Sequence, residues 1–273
     1  MEFNLIVSQG RAADKTAQTI KGAALTAAAL EAAFGVKAVS VGEPSPPAED
    51  DWTDSLPQAK PTLEAVRDAV SRSVESGKLT VLASNTCSIS LASLPVLAEH
   101  HPDAVLLWID AHGDFNTPDT TDTGYLGGMV VAAACGLWNS GHGAGLKASQ
   151  VIFAGARDID PLEAKLIEKA GGQILTAAGF SPEAVLKAVG GRKVWIHIDW
   201  DVLEPGHIPA DYKVPGGLLP KQLRALLAAL PSGQVLGLEL AEYQVPADAG
   251  QAEAALAAIV DTVTPLLDRV EAA

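Results

Sequence analysis

The sequence predicts an α/β fold, a parallel sheet covered by helices on both faces, and three observations carry that expectation. Strand-like runs alternate with helical ones along all 273 residues. The strands are almost wholly apolar, as strands buried on both faces are. Acidic residues gather directly behind two of the strongest strands, and in such sheets ligands bind beyond the carboxyl ends of the strands.

Element by element, strands are expected at Phe3–Ser8, Val36–Val41, Leu79–Ser84, Val105–Ile109, Val151–Gly155, Ile174–Thr176, Val194–Ile198 and Val235–Leu240. Each is a short run rich in Val, Ile and Leu. Helical stretches lie between them at Ala17–Ala33, Thr62–Glu75, Ser88–Glu99, Pro161–Ala170, Pro182–Val189, Pro220–Ala229 and Gln251–Val270. Pro161, Pro182 and Pro220 stand where a first helical turn tolerates a missing N–H. The segment Gly42–Lys60, with four prolines and five acidic residues, reads as a surface loop. No internal repeat, linker or low-complexity tail interrupts the pattern, so residues 1–273 read as one domain.

Composition narrows the function. A net charge of −14 argues against nucleic acid and against anionic membrane surfaces as partners. No run of 18 apolar residues suggests a membrane span. The start, Met-Glu-Phe-Asn-Leu-Ile-Val, reads as a strand rather than a signal peptide. Two cysteines, Cys87 and Cys135, are too few for a disulfide framework and suit a reducing cytoplasm. Cys135, in the apolar run Val130-Val-Ala-Ala-Ala-Cys135, is expected to be a small buried hydrophobe.

The chemistry concentrates in two places. Asp110-Ala-His112-Gly-Asp114 follows the strand Val105–Ile109, and alternate residues of an extended segment project to one side. Asp199-Trp-Asp201 ends the strand Val194–Ile198 in the same way. Four carboxylates and an imidazole form an oxygen-rich set suited to Mn²⁺ or a similar cation. So many anionic ligands exceed the needs of one ion, whereas two ions roughly 3.5–4 Å apart can share bridging carboxylates.

At these residues the chain resembles the arginase (ureohydrolase) family. Asp110-Ala-His-Gly-Asp-Phe-Asn-Thr-Pro118 resembles the family's D-A-H-x-D-x-N-T-P, His197-Ile-Asp199-Trp-Asp201-Val-Leu-Glu-Pro205 its S-F-D-x-D-x-x-D-P, and Pro215-Gly-Gly-Leu218 its P-x-x-G-G-L. The resemblance implies a three-layer α/β/α sandwich around an eight-stranded parallel sheet, two Mn²⁺ ions, and hydrolysis of a guanidino group. It makes Asp110 and Asp199 bridging ligands, with Asp114 completing one ion's shell and His112 and Asp201 the other's. Asp114 also becomes the proton carrier to the leaving amine. Glu242, at the end of the last strand, becomes the carboxylate that holds the guanidino group.

Two departures from the family stand out. Where its G-G-D-H motif supplies a histidine ligand, this chain reads Ser84-Asn-Thr-Cys87; Cys87 is expected to ligate, although a thiolate is softer than Mn²⁺ prefers, the alternative being an ion that has lost a protein ligand. Where its arginine hydrolases resemble S-G-N-L-H-G, with a histidine thought to shuttle protons, this chain reads Thr123-Gly-Tyr-Leu-Gly127-Gly128. His142 and His207 lie in loops and are the candidates to compensate. His100, His101 and His197 are expected at the surface or in packing.

The α-amino-acid pocket of the family is matched by Asn116 and Thr123 at the carboxylate and by Asp160 at the ammonium. An amino-acid pocket without that histidine points to a more reactive guanidine: Nω-hydroxy-L-arginine, cleaved to hydroxyurea and L-ornithine. Ureohydrolases of this kind are associated with antibiotic biosynthesis, in which hydroxyurea is a building block for D-cycloserine. The alternatives are an ordinary arginase and a non-catalytic protein that binds metal or an amino acid. The resemblance is compatible with a homo-oligomer, the family's trimer or hexamer.

Overall fold

Apolar strands of a parallel sheet are stable where helices cover both of their faces, and this requirement shapes the centre of the fold. In the computed structural model, which describes residues 2–271, the order is β1 (Phe3–Ser8), α1 (Ala17–Phe34), β2 (Ala38–Val41), α2 (Trp52–Glu75), β3 (Leu79–Ala83), α3 (Ser90–His100), β4 (Val105–Ile109), α4 (Val130–Ala134), β5 (Val151–Ala156), α5 (Pro161–Ala170), β6 (Gln173–Thr176), α6 (Pro182–Val189), β7 (Val194–Asp199), α7 (Pro220–Ala229), β8 (Val235–Ala241) and α8 (Ala249–Glu271). The eight strands form one sheet in the order β2-β1-β3-β8-β7-β4-β5-β6. Every pairing is parallel.

Two apolar layers seal the sheet. One joins Ala23, Ala27 and Leu30 of α1 to Val185 of α6, Leu223 and Leu227 of α7, and Ile259 and Val263 of α8. The other joins Leu63, Val66 and Val70 of α2 to Leu94 and Leu97 of α3, Val130 to Ala134 of α4, and Ile167 of α5. The result is the expected three-layer α/β/α sandwich. No helix among the described residues is long and apolar enough to cross a membrane.

The region read as a surface loop is a loop only in its first half. Helix α2 begins at Trp52 and carries Pro57 and Pro61 inside it. Asp51 caps it, its side chain accepting from Thr53 N at 2.8 Å. Each proline removes one helical hydrogen bond. Burial of Ser55, Ala59, Leu63, Val66 and Val70 along one face offsets that cost. Trp52 also stacks edge-on against Trp138, and its N–H donates to Gly124 O at 2.8 Å, tying the helix start to the loop that leads into the site.

Topology places that site. β3, β8, β7 and β4 lie side by side at the centre, although β3 and β4 follow one another in the chain and β7 and β8 come last. Their register pairs Ile109 with Ile198 and Asp199 with Ala241. The residues leaving these strands, Asp110, Asp199 and Glu242, are therefore brought level at the carboxyl edge.

Candidate metal centre and active site

Beyond that edge lies a cavity of about 200 Å³. Cys87, His112, Asp114, Asn116, Thr123, Asp160, Asp199, Asp201 and Glu242 line it, and Asp110 is buried beside them. The residues expected to hold metal or substrate therefore all meet at one place. His142 and His207 are not among the residues lining the cavity. Cys135 is half-buried rather than fully packed away.

The two acidic motifs are held by turns rather than by continued strand. Asp110 Oδ1 accepts from His112 N at 2.7 Å, and Asp199 Oδ1 accepts from Asp201 N at 2.7 Å. These local bonds turn the chain back over the strand ends. The loops lock together where Ala111 N donates to Asp201 Oδ1 at 3.2 Å. His112 Nδ1 then faces Asp201 Oδ2 at 3.1 Å and Asp110 Oδ1 at 3.3 Å. Cys87 opens a short helical turn behind β3, and its Sγ lies 3.4 Å from Asp199 Oδ2.

Three sets of ligand atoms lie within 4.8 Å of one another: Asp110, His112 and Asp201; Cys87, Asp199 and Glu242; and Cys87, Asp110 and His197. Asp114 enters the cavity differently from the expectation of a shared extended face. It adopts a left-handed backbone, φ +46°, held because its carbonyl accepts from Val131 N and the next N–H, of Phe115, donates to Glu163 at 2.7 Å. Glu242, at φ +65°, is left-handed as well. With Ala13 these are the three non-glycine residues of positive φ among those described, and such strain gathers at functional sites.

Electrostatics supports a cation here. Burial, then the charge of Asp110, pushes Asp114 well above the usual carboxylate range, and Asp114 Oδ2 is buried without a hydrogen-bond partner among the described residues. Burial, then Asp201 and Asp110, does the same to Asp199. Asp201 is raised to about 6 by burial and by Asp110. Burial also pushes Asp110 up, but its hydrogen bonds with His112 bring it to rest below the ordinary value. Burial works against the His112 cation, yet the two carboxylates hold it well above the imidazole range. A proton on His112 stands where a metal would satisfy the same carboxylates. The donor set of carboxylates, one imidazole and one thiol fits divalent cations.

The sequence reading missed a second layer under the site. The register Trp108–His197–Glu239 stacks the His197 ring on Trp108, centroids 3.6 Å apart and the ring planes nearly parallel. His197 Nδ1 lies 2.8 Å from Glu239 Oε2, and His197 Nε2 lies 3.3 Å from Cys87 Sγ. His197 is thus fully buried and in contact with the site, not a bystander. The signal was its position two residues before Asp199, on the same side of the strand. Tyr125 and Tyr212, which also line the cavity, gave no comparable signal.

Residues 7–264 match the arginase family. The chain is 58% identical over 270 residues to an Nω-hydroxy-L-arginine amidinohydrolase of Streptomyces lavendulae, covering 99% of both chains. Among solved structures, its fold is similar to an arginase from Bacillus subtilis (TM-score 0.82, 21% identity, 96% of this chain and 98% of that one). It is also similar to an Entamoeba histolytica arginase in complex with L-ornithine (TM-score 0.84, 18% identity, 97% of each). Sheet order, site position and sequence agree: this chain belongs to the arginase family.

Proposed function

We propose that the protein is a binuclear-manganese amidinohydrolase that cleaves Nω-hydroxy-L-arginine to hydroxyurea and L-ornithine. One observation carries this reading: the cavity keeps the buried carboxylate cluster and Glu242 but offers no imidazole at position 127, where a glycine stands against the ring of Tyr125. The activity named for the Streptomyces lavendulae relative supports it.

In this reading Asp110, Asp199, Cys87, Asp114, His112 and Asp201 would together hold the two ions. The ions supply Lewis acidity, which makes a nucleophile available from water at neutral pH. Asp114 Oδ2, buried and without a hydrogen-bond partner among the described residues, takes a proton there and delivers it to the leaving nitrogen. Glu242 holds the guanidine, Asp160 meets the α-ammonium, and Asn116 and Thr123 meet the α-carboxylate. Asn116 Nδ2 donates to Asp160 Oδ2 at 3.2 Å, which orients both for the amino-acid end. The protein acts in the cytoplasm, where its two free thiols, Cys87 and Cys135, stay reduced, and it supplies hydroxyurea for antibiotic biosynthesis.

The test is a substrate panel of L-arginine, Nω-hydroxy-L-arginine and agmatine with Mn²⁺-loaded protein. The hydroxylated guanidine is less basic and easier to attack, so it suffers less from the missing acid–base group. Its kcat/KM should exceed that of arginine by at least about tenfold, or ~1.4 kcal/mol in barrier. Equal or faster turnover of L-arginine overturns the assignment.

A further inference from the structure

Position 127 is bare for a steric reason. A Cβ built on Gly127 would stand 2.4 Å from Tyr125 Cε1 and 2.9 Å from Cζ, so no side chain fits there while Tyr125 keeps its place. The ring is fixed on several sides. Its backbone N–H donates to Thr123 Oγ1 at 3.2 Å, Lys15 Nζ sits 4.8 Å above the ring centroid, and its Oη donates to Glu242 Oε1 at 3.2 Å. Glu242 Oε1 also accepts from Cys87 N at 2.9 Å. Both lone pairs of that oxygen are thus engaged, and Glu242 presents one free oxygen to the cavity.

We propose that Tyr125 is a specificity-determining residue: it fills the space over Gly127 and occupies one oxygen of Glu242, so that the site favours an N-hydroxylated guanidine over a guanidinium ion. The proposal rests on Glu242 holding the guanidine and on the substrate reading given above. A guanidinium pairs best with a carboxylate through two parallel N–H···O bonds, and the engaged Oε1 denies it the second. A neutral hydroxyguanidine needs less countercharge. Its own hydroxyl finds an acceptor in the phenol oxygen, which donates to Glu242 and keeps lone pairs for a second partner. A site that hydrogen-bonds a substrate hydroxyl discriminates strongly against the analogue lacking it.

The experiment compares wild type with Tyr125→Phe and with the double variant Tyr125→Asn/Gly127→His, measuring kcat and KM for both substrates and L-arginine affinity by calorimetry. Tyr125→Phe keeps the ring and frees one lone pair of Oε1, the other still accepting from Cys87 N. Hydroxyarginine kcat/KM should fall about tenfold or more while L-arginine binds tighter, so the preference narrows. Gly127→His alone should lose activity on both substrates, because the imidazole collides with the ring. In the double variant the collision is relieved, and arginine turnover should rise above wild type. An unchanged preference ratio and unchanged L-arginine affinity in Tyr125→Phe, with hydroxyarginine still the better wild-type substrate, would overturn the role of Tyr125 and leave the substrate assignment standing. A wild type that prefers arginine instead overturns the substrate assignment itself.

Discussion

Replacing Glu239 by Gln perturbs the buried layer beneath the proposed metal-binding residues without touching the cavity. Glu239 Oε1 accepts from Trp195 Nε1 at 2.9 Å and from Ser93 Oγ, and Oε2 accepts from Ser90 Oγ at 2.6 Å and faces His197 Nδ1 at 2.8 Å. Burial pushes this carboxyl up, but its partners, His197 foremost, bring it below the ordinary value, so it is ionised and only accepts. A neutral His197 beside this ionised carboxylate carries its hydrogen on Nδ1 and turns a bare Nε2 to the Cys87 sulfur. In Glu239→Gln the indole N–H, which can only donate, holds the amide oxygen at the Oε1 place. The amide N–H₂ then falls beside His197, which can accept it only by moving its hydrogen to Nε2. The charge-assisted bond lost is worth about 1.5–3 kcal/mol. Urea denaturation of the metal-free protein should show a loss of that size. With Co²⁺ bound, the thiolate-to-cobalt absorption should shift to higher energy, because the sulfur now accepts an N–H from below. An unchanged midpoint together with an unchanged cobalt spectrum refutes the tautomer argument.

Two further outcomes follow from the site. If Cys87 ligates, Cys87→Ser should lower occupancy at its ion and Cys87→His should change metal retention and activity together; wild-type metal content and kinetics in both variants remove Cys87 from the shell. The metal-free protein should lose stability as pH rises from 6.5 to 8. Burial raises Glu163 to about 7 and Glu242 to about 8, so the stability each gives is full below its unfolded value of 4.5 and lost as pH climbs through those values. His112, held high, contributes in the same direction above 6.5. His101 and His142, held low first by burial, act oppositely but only below 6.5. Added Mn²⁺ should reverse the trend, with a larger rise in Tm at pH 8 than at pH 6.5, and a metal-free Tm that stays flat across that window contradicts the assignment.

Much of this architecture was legible because it is local. An apolar run of four to seven residues names a strand, and a proline at the first helical position names a helix start, without reference to the rest of the chain. The exceptions are instructive. Helix α2 was hidden from residue 52 to 61 because Pro57 and Pro61 carry a local penalty that only burial against the sheet and α3 outweighs. Helix α4 is five residues long, too short for a helical period to show. In the site, motif spacing marked Asp110, His112, Asp199 and Asp201, but the geometry that joins them is non-local. Asp110 and Asp199 become neighbours because β7, late in the chain, is inserted beside β4 in register.

The residues that escaped notice share one property: their meaning depends on a partner far away in sequence. His197 is a plain buried histidine until Cys87, 110 residues earlier, is placed 3.3 Å from it. Tyr125 is a loop aromatic until Glu242, 117 residues later, accepts its hydroxyl. The two departures from the family pattern, Cys87 for a histidine and Gly127 for a histidine, look in sequence like two losses. In the fold each lost imidazole is answered by a ring: His197 rises beneath Cys87 from β7, and Tyr125 closes over Gly127. In the proposed site the first answers a change among the residues that would hold metal, the second a change on the side where the leaving group would depart. A single back-substitution at either position therefore meets a neighbour already fitted to the replacement, and a second change, at His197 or Tyr125, is needed with it.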